Sequence, residues 1–252
     1  MNEITLFGFN NLTKSLSFSL YKLHYLTSQQ DSYNMYIKER YSAGKLNTLL
    51  TKICHAIGGN VLNIAKQDYT PQGASVTLMI SEESEAEPLP KTVTESLIAH
   101  LDKSHLCIHT YPEEAPQNNI AIFRADIELS TCGIISPLKV LNFVIEAFDA
   151  DVIDIDYRIR GMTRDRQGKK LFNIDKLKNI SDFLSTDIIE NYSISEHKLR
   201  EQNLFHTKLR RKVITLGNHT FETDIKNLTD EEQHLSNAML EKEVQQLFTN
   251  TN

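Results

Sequence analysis

The sequence predicts an α+β protein: antiparallel sheets with helices on the outer faces, an αβ sandwich of two similar halves, followed by a helical C-terminal extension. Three observations carry this expectation. Segments that alternate apolar and polar residues come in neighbouring pairs, as antiparallel strands do. Helical stripes separate the pairs rather than each strand, unlike the strict βαβα alternation of a parallel sheet. The order strand, strand, helix, strand, strand then recurs, with no residue-level repeat beneath it.

Residues 4–9 are short and apolar, and 15–23 alternate with Leu16, Phe18 and Leu20 on one side, so both read as strands. A polar stretch rich in Gln and Tyr reads as helical to about Tyr41. Residues 44–57 make a better helix. Leu46, Leu49, Leu50, Ile53 and Ile57 recur at three- and four-residue steps, and Gly58 with Gly59 stops the run. Residues 61–65 and 75–81 read as strands joined by a turn through Pro71, Gln72 and Gly73. The acidic, proline-bearing stretch 82–90 reads as a solvated surface loop. Strands over 104–110 and 120–129 flank a turn at Pro112. Ser136 and Pro137 open a helix as N-cap and first-turn proline, with Leu138, Leu141, Val144, Ile145 and Phe148 as its apolar stripe. Residues 152–159 alternate and Gly161 closes them; 163–170 form a charged turn and 171–174 a last short strand. The final third reads as helical and polar. Thr229, Asp230, Glu231 and Glu232 make a capping box, and Leu235, Met239, Leu240, Val244 and Leu247 supply a stripe that packs on the body or on a neighbouring subunit.

Composition narrows the function. The 252 residues are enough for one large domain or two small ones. A balance of 27 basic against 33 acidic residues, net −6, excludes a broad electrostatic footprint for nucleic acid. No apolar run reaches the roughly 18 residues that span a bilayer. The N-terminus has no basic region leading into an apolar core, so no secretory signal is expected. Three cysteines, Cys54, Cys107 and Cys132, lack disulfide or metal spacing and point to a reducing cytoplasm. The glycine-rich phosphate and dinucleotide loops are absent, as are the zinc-protease helix and the serine-hydrolase elbow. His105 and His109 share one face of a strand, but zinc needs three or four ligands and no others are local.

Two segments gather reactive residue types. His100 to Glu113 places Asp102, Lys103, Ser104, His105, Cys107 and His109 at the start of a strand, directly after a loop. Ser130-Thr131-Cys132-Gly133 places a cysteine between a strand end and a helix start, where helix N-terminal amides can tune a thiol. On the residues alone, plainer readings stand beside these: a turn with half-exposed histidines, and a small buried cysteine.

Longer blocks settle the direction. GFNNLTKSLSFSLY at 8–21, GGNVLNIAKQDYTPQGASVTLMISEE at 58–83 and AHLDKSHLCIHTYPE at 99–113 come in one order. FRADIELSTCGIISPLKVLN at 123–142, IDYRIRGMTRD at 155–165 and NLFHTK at 203–208 continue it. In these blocks the chain resembles the S-adenosylmethionine decarboxylase proenzymes in their longer bacterial form. The resemblance is looser over 82–98 and the last forty or so residues.

The resemblance implies a single decarboxylase domain over 1–252 that cuts itself between Lys103 and Ser104, giving chains 1–103 and 104–252. It implies Ser104 as the residue that becomes a pyruvoyl group and forms the Schiff base with substrate, His109 as the processing proton acceptor, and Cys132 as the proton donor. Ser75 aligns with a serine that assists processing. Tyr69 falls where an aromatic ring meets adenine, and Glu113 matches a substrate-side carboxylate. The implied substrate is S-adenosyl-L-methionine, the product serves spermidine synthesis, and the implied assembly is an oligomer of the two chains. Members of the longer form are stimulated by magnesium, for which the sequence shows no ligand cluster. Two alternatives stay open: the same pyruvoyl chemistry on arginine or ornithine, and a non-catalytic nucleotide-binding module. One geometric point is unresolved by sequence. Ser104 and His109 are an odd number of residues apart, so on a regular strand they face opposite sides. A shared face needs Ser104 off the strand or a bulge between them.

Overall fold

The computed structural model describes residues 11–26, 30–82, 103–113, 119–132, 135–164, 167–172, 177–221, 225 and 228–251. The expected strand at 4–9 and nearly all of the acidic loop at 82–90 lie outside them. Strand β1 (Thr13–Tyr25) leads into helices α1 (Gln30–Tyr41) and α2 (Ala43–Ile57). Gly58 ends α2 in the left-handed region at φ 87°, where its amide closes on the carbonyls of Cys54 and His55. Strands β2 (Gly59–Asp68), β3 (Ala74–Glu82), β4 (Lys103–Pro112) and β5 (Ile120–Cys132) follow. A 3₁₀ turn over Pro137–Val140 runs into helix α3 (Leu141–Phe148) and strand β6 (Val152–Arg160). A small ribbon pairs β7 (Thr163–Arg164) with β8 (Lys170–Leu171). Helix α4 (Thr186–Asn191), strands β9 (Tyr192–Leu199) and β10 (Leu204–Arg211) and helix α5 (Asp230–Thr249) complete the described chain.

Eight strands form one antiparallel sheet in the order β2-β3-β4-β5-β1-β6-β10-β9. Alternation along each strand separates two faces. Leu16, Phe18 and Leu20 of β1, Val76, Leu78 and Ile80 of β3, Leu106 and Ile108 of β4, and Phe123, Ile127 and Leu129 of β5 all lie buried on one face, in a core shared with α1, α2 and α3. The other face is polar along most of its length. Helix α5 covers one end of it. There Leu240 and Val244 pack on Leu23, Tyr25, Ile120 and Val152. This explains β1, whose first nine residues alternate between half-buried and buried while the last four are buried throughout.

The structure revises four sequence readings. The expected pair of sheets is a single sheet in this chain, because β1 hydrogen-bonds to β5 on one side and β6 on the other and joins the two strand groups. The final third is not helical throughout: it holds β9 and β10. Strand β9 lies at the sheet edge with both faces partly in water, so its apolar alternation is too weak to read. Ser136 stands at the N-cap position before Pro137, but its side chain makes no capping bond and the first turn is 3₁₀. The capping box of Thr229 and Glu232 is present in both directions, yet Leu235 and Met239 face water while Ser236, Leu240 and Val244 form the buried side of α5.

Candidate active site

Strand β4 carries the reactive cluster, starting at Lys103. Both of its ladders run without a register shift, from Ser75 opposite His109 to Ser81 opposite Lys103 on β3, and from His105 opposite Ser130 to Pro112 opposite Phe123 on β5. The strand is therefore regular, with no bulge. Ser104 falls in phase with Leu106, Ile108 and Thr110 on the helix-covered face and is 4 % exposed. His109 falls in phase with His105, Cys107 and Tyr111 on the open face. Five residues of strand separate the two by about 17 Å.

Ser104 does meet the cysteine. The Cys132 backbone N–H donates to Ser104 Oγ at 3.2 Å. Cys132 ends β5, and its Sγ lies 3.9 Å from the Thr13 hydroxyl at the start of β1. Gly133 of this motif is outside the described residues.

A second group gathers toward the far end of β3 and β4. Tyr69 Oη donates to Ser75 Oγ at 2.8 Å, and Ser75 stands opposite His109 on the same face. The turn between β2 and β3 brings this about. Tyr69 N–H donates to the Gly73 carbonyl at 2.8 Å. Gly73 has φ 104°, and a Cβ there would stand 3.0 Å from the Thr110 carbonyl oxygen, so the tight approach of this turn to β4 requires glycine. Tyr69 is 41 % exposed. Glu113 lies just beyond β4. Its Oε2 accepts the Ile122 N–H at 3.0 Å, and Gln72 Nε2 donates to its carbonyl at 3.5 Å. Nine residues from Ser104, it is about 30 Å along the strand from that hydroxyl. The structure thus brings Ser104 to the Cys132 backbone and Tyr69 to Ser75, which stands opposite His109, but leaves the two groups apart within one chain.

Cys107 shares the open face with His109; burial raises its thiol pKa, and Glu128 beside it acts in the same direction. Two buried lysines on β1 escaped the sequence reading. Lys14 donates to the Ile135 carbonyl at 2.8 Å. Lys22 meets Asp149 at 3.2 Å and Asp151 at 3.5 Å. The signal was present: both lysines, with His24, fall in the apolar phase of β1 set by Leu16, Phe18 and Leu20. Asp151 is fully buried and also accepts from Leu23 N–H, Arg211 Nε and His219 Nε2. Burial alone would raise its carboxyl pKa. The His219 hydrogen bond and the Lys22 charge outweigh that and hold it below the usual value.

Comparison with known proteins identifies an enzyme class and then a family. The family described as S-adenosylmethionine decarboxylase matches residues 31–161. A protein of Escherichia coli O45:K1 (strain S88 / ExPEC) called S-adenosylmethionine decarboxylase proenzyme is 45 % identical over 260 aligned positions, covering 100 % of this chain and 98 % of its own. One of the same name from Pseudoalteromonas translucida (strain TAC 125) is also 45 % identical, covering 100 % of this chain and 96 % of its own. A crystal structure of the adenosylmethionine decarboxylase from Aquifex aeolicus aligns at TM-score 0.39 and 14 % identity, over 68 % of this chain and 99 % of that one. The chain belongs to the S-adenosylmethionine decarboxylase family, on the strength of the family match and the full-length sequence relatives.

Proposed function

We propose that this chain is the proenzyme of a pyruvoyl-dependent decarboxylase that acts on S-adenosyl-L-methionine and supplies aminopropyl groups for spermidine synthesis. The observation that carries the reading is the 3.2 Å contact from Cys132 N–H to Ser104 Oγ. It sets the cleavage-site hydroxyl against the backbone of Cys132, the residue proposed as proton donor, whose thiol lies beside the Thr13 hydroxyl.

Self-cleavage would proceed on the protein's own residues. Ser104 Oγ adds to the Lys103 carbonyl carbon and the amide C–N bond breaks, so residues 1–103 become an ester on Ser104. His109 of a second copy takes the α-hydrogen of residue 104. The ester C–O bond then breaks, releasing 1–103 with a terminal carboxylate and leaving dehydroalanine. Water replaces the nitrogen, ammonia departs, and chain 104–252 begins with a ketone. Residue 104 suits such a group: it is buried, flanked by Ile80 and Leu106, and reached by a backbone donor. The ketone supplies the electron sink that ordinary side chains lack. Cys132 returns a proton to the substrate α-carbon, a task suited to a thiol, which ordinarily titrates near 8.5 and so keeps its proton at neutral pH. Tyr69 stacks on adenine, a contact of about 1–3 kcal/mol. Glu113 offers a carboxylate to the sulfonium, and Ser75 assists cleavage from its place opposite His109.

These roles converge only if a second copy completes the site. Ser104 and Cys132 of one chain would meet Tyr69, Ser75, His109 and Glu113 on the open sheet face of another. Tyr69, Met79 and Tyr111 leave large apolar groups exposed on that face, which favours a covering partner. Magnesium is assigned no ligands: among the described residues no group of three or more His, Cys, Asp or Glu side chains gathers to hold an ion. Among those residues no helix is long and apolar enough to cross a membrane, and cytoplasmic residence is proposed from cysteine usage.

Intact mass spectrometry tests the reading. The purified protein should give two fragments, 1–103 and a ketone-blocked 104–252. Ser104→Ala should stay whole and release no carbon dioxide from S-adenosylmethionine. An active protein of one full-length mass would refute the proposal.

A further inference from the structure

We infer that Lys14 is a positioning residue for the reaction centre, acting through Thr131 and Ile135 on either side of Cys132; this rests on the proposed role of Cys132. Lys14 is 2 % exposed and points to the helix-covered face of β1, in the phase of Leu12, Leu16 and Phe18. It stands opposite Thr131 on β5. Extending the β4–β5 register one step past His105 and Ser130 sets Thr131 beside Ser104. Lys14, Thr131 and Ser104 therefore form one row across three neighbouring strands, spanning about 10 Å.

The row has a shared anchor. Lys14 Nζ donates to the Ile135 carbonyl at 2.8 Å, and Thr131 Oγ1 donates to the same oxygen at 3.3 Å. Cys132 lies between the two residues so tied. With Ile135 drawn back over the end of β1, the Cys132 amide points at Ser104 Oγ. An ammonium is costly to bury, and an apolar side chain of similar volume would serve packing at least as well. A charged donor gives a shorter, stronger and more directional bond to a carbonyl than a neutral one. The lysine thus trades packing stability for a fixed Ile135 carbonyl.

The test is a double-mutant cycle on decarboxylation, since residues acting through one another are non-additive. Lys14→Met should fold, with an unchanged circular dichroism spectrum, and leave KM within about threefold. Its kcat should fall by up to about 100-fold, the scale of a 1 Å misplacement at a reacting centre. Cys132→Ala should fall on its own account, and adding Lys14→Met to it should cost nothing further. Lys14→Arg should recover part of the lost kcat. Thr131→Val, which removes the second grip on Ile135, should move kcat the same way by less, and it carries the test if Lys14→Met is insoluble. Normal kcat in folded Lys14→Met, or additive losses in the cycle, would overturn the inference while leaving the function intact. Normal turnover in Cys132→Ala would instead remove the reading on which it rests.

Discussion

His24 is an imidazole held away from water. It stacks on Phe221 at 5.6 Å and meets the edge of Tyr36 at 4.9 Å, and its Nε2 has no hydrogen-bond partner. Burial, and next the Lys22 charge, lower its pKa from 6.5 to about 3. The unfolded chain therefore binds this proton more readily than the folded one between those values, and stability falls as pH drops through that window. His24→Phe keeps a ring and removes the titration, so its loss of Tm between pH 7 and 4.5 should be shallower than that of the unaltered protein. Equal slopes in thermal scans would show that His24 does not govern the acid limb. Much of the candidate site at this scale was legible. The blocks around Ser104, His109 and Cys132 named the candidates, but the off-strand serine or bulge that a shared face requires is absent, since β4 runs regularly through both residues. Distance was not legible, because a strand separates groups by length alone and sequence does not show where it is straight. The buried charges were hidden by a default expectation that lysine marks a solvated face, though Lys14 and Lys22 broke the phase of β1.

Among the elements, the strands and helices with one covered face were readable and those with unusual surroundings were not. Helix α2 matched its stripe and its glycine stop because its buried side faces a continuous core. Helix α5 matched its cap, but its stripe was misread: both Leu235 and Leu240 are apolar, and only the packing of Leu23, Tyr25 and Val152 selects the second. The two leucines should therefore differ sharply on truncation. Leu240→Ala should cost about 2–5 kcal/mol in urea unfolding, as for a buried leucine. Leu235→Ala, at 56 % exposure, should stay within about 0.5 kcal/mol. Similar losses at both positions would mean that α5 packs differently. Strand β9 was missed because an edge strand with two wet faces carries little hydrophobic phase, and β10 because Lys208, Arg210 and Arg211 interrupt its alternation.

At the scale of the whole molecule, the separation of the two groups along β4 predicts complementation. Cys132→Ala and Tyr69→Ala each disable one half of the proposed composite site. In a symmetric pair built from one copy of each, one of the two sites would carry both intact halves. Random pairing should then restore about a quarter of full activity on co-expression, whereas each variant alone stays low. No recovery would confine the site to a single chain. The central place of β1 has a further consequence for the mature protein. A cut after residue 103 assigns β1, β2 and β3 to one polypeptide and the other seven strands to its sibling. The shorter piece would then be interleaved, with β1 clasped between β5 and β6 while β3 zips onto β4. Three ladders would have to unravel before the fragments could part, so the nicked protein would behave as one body and keep its original mate for life.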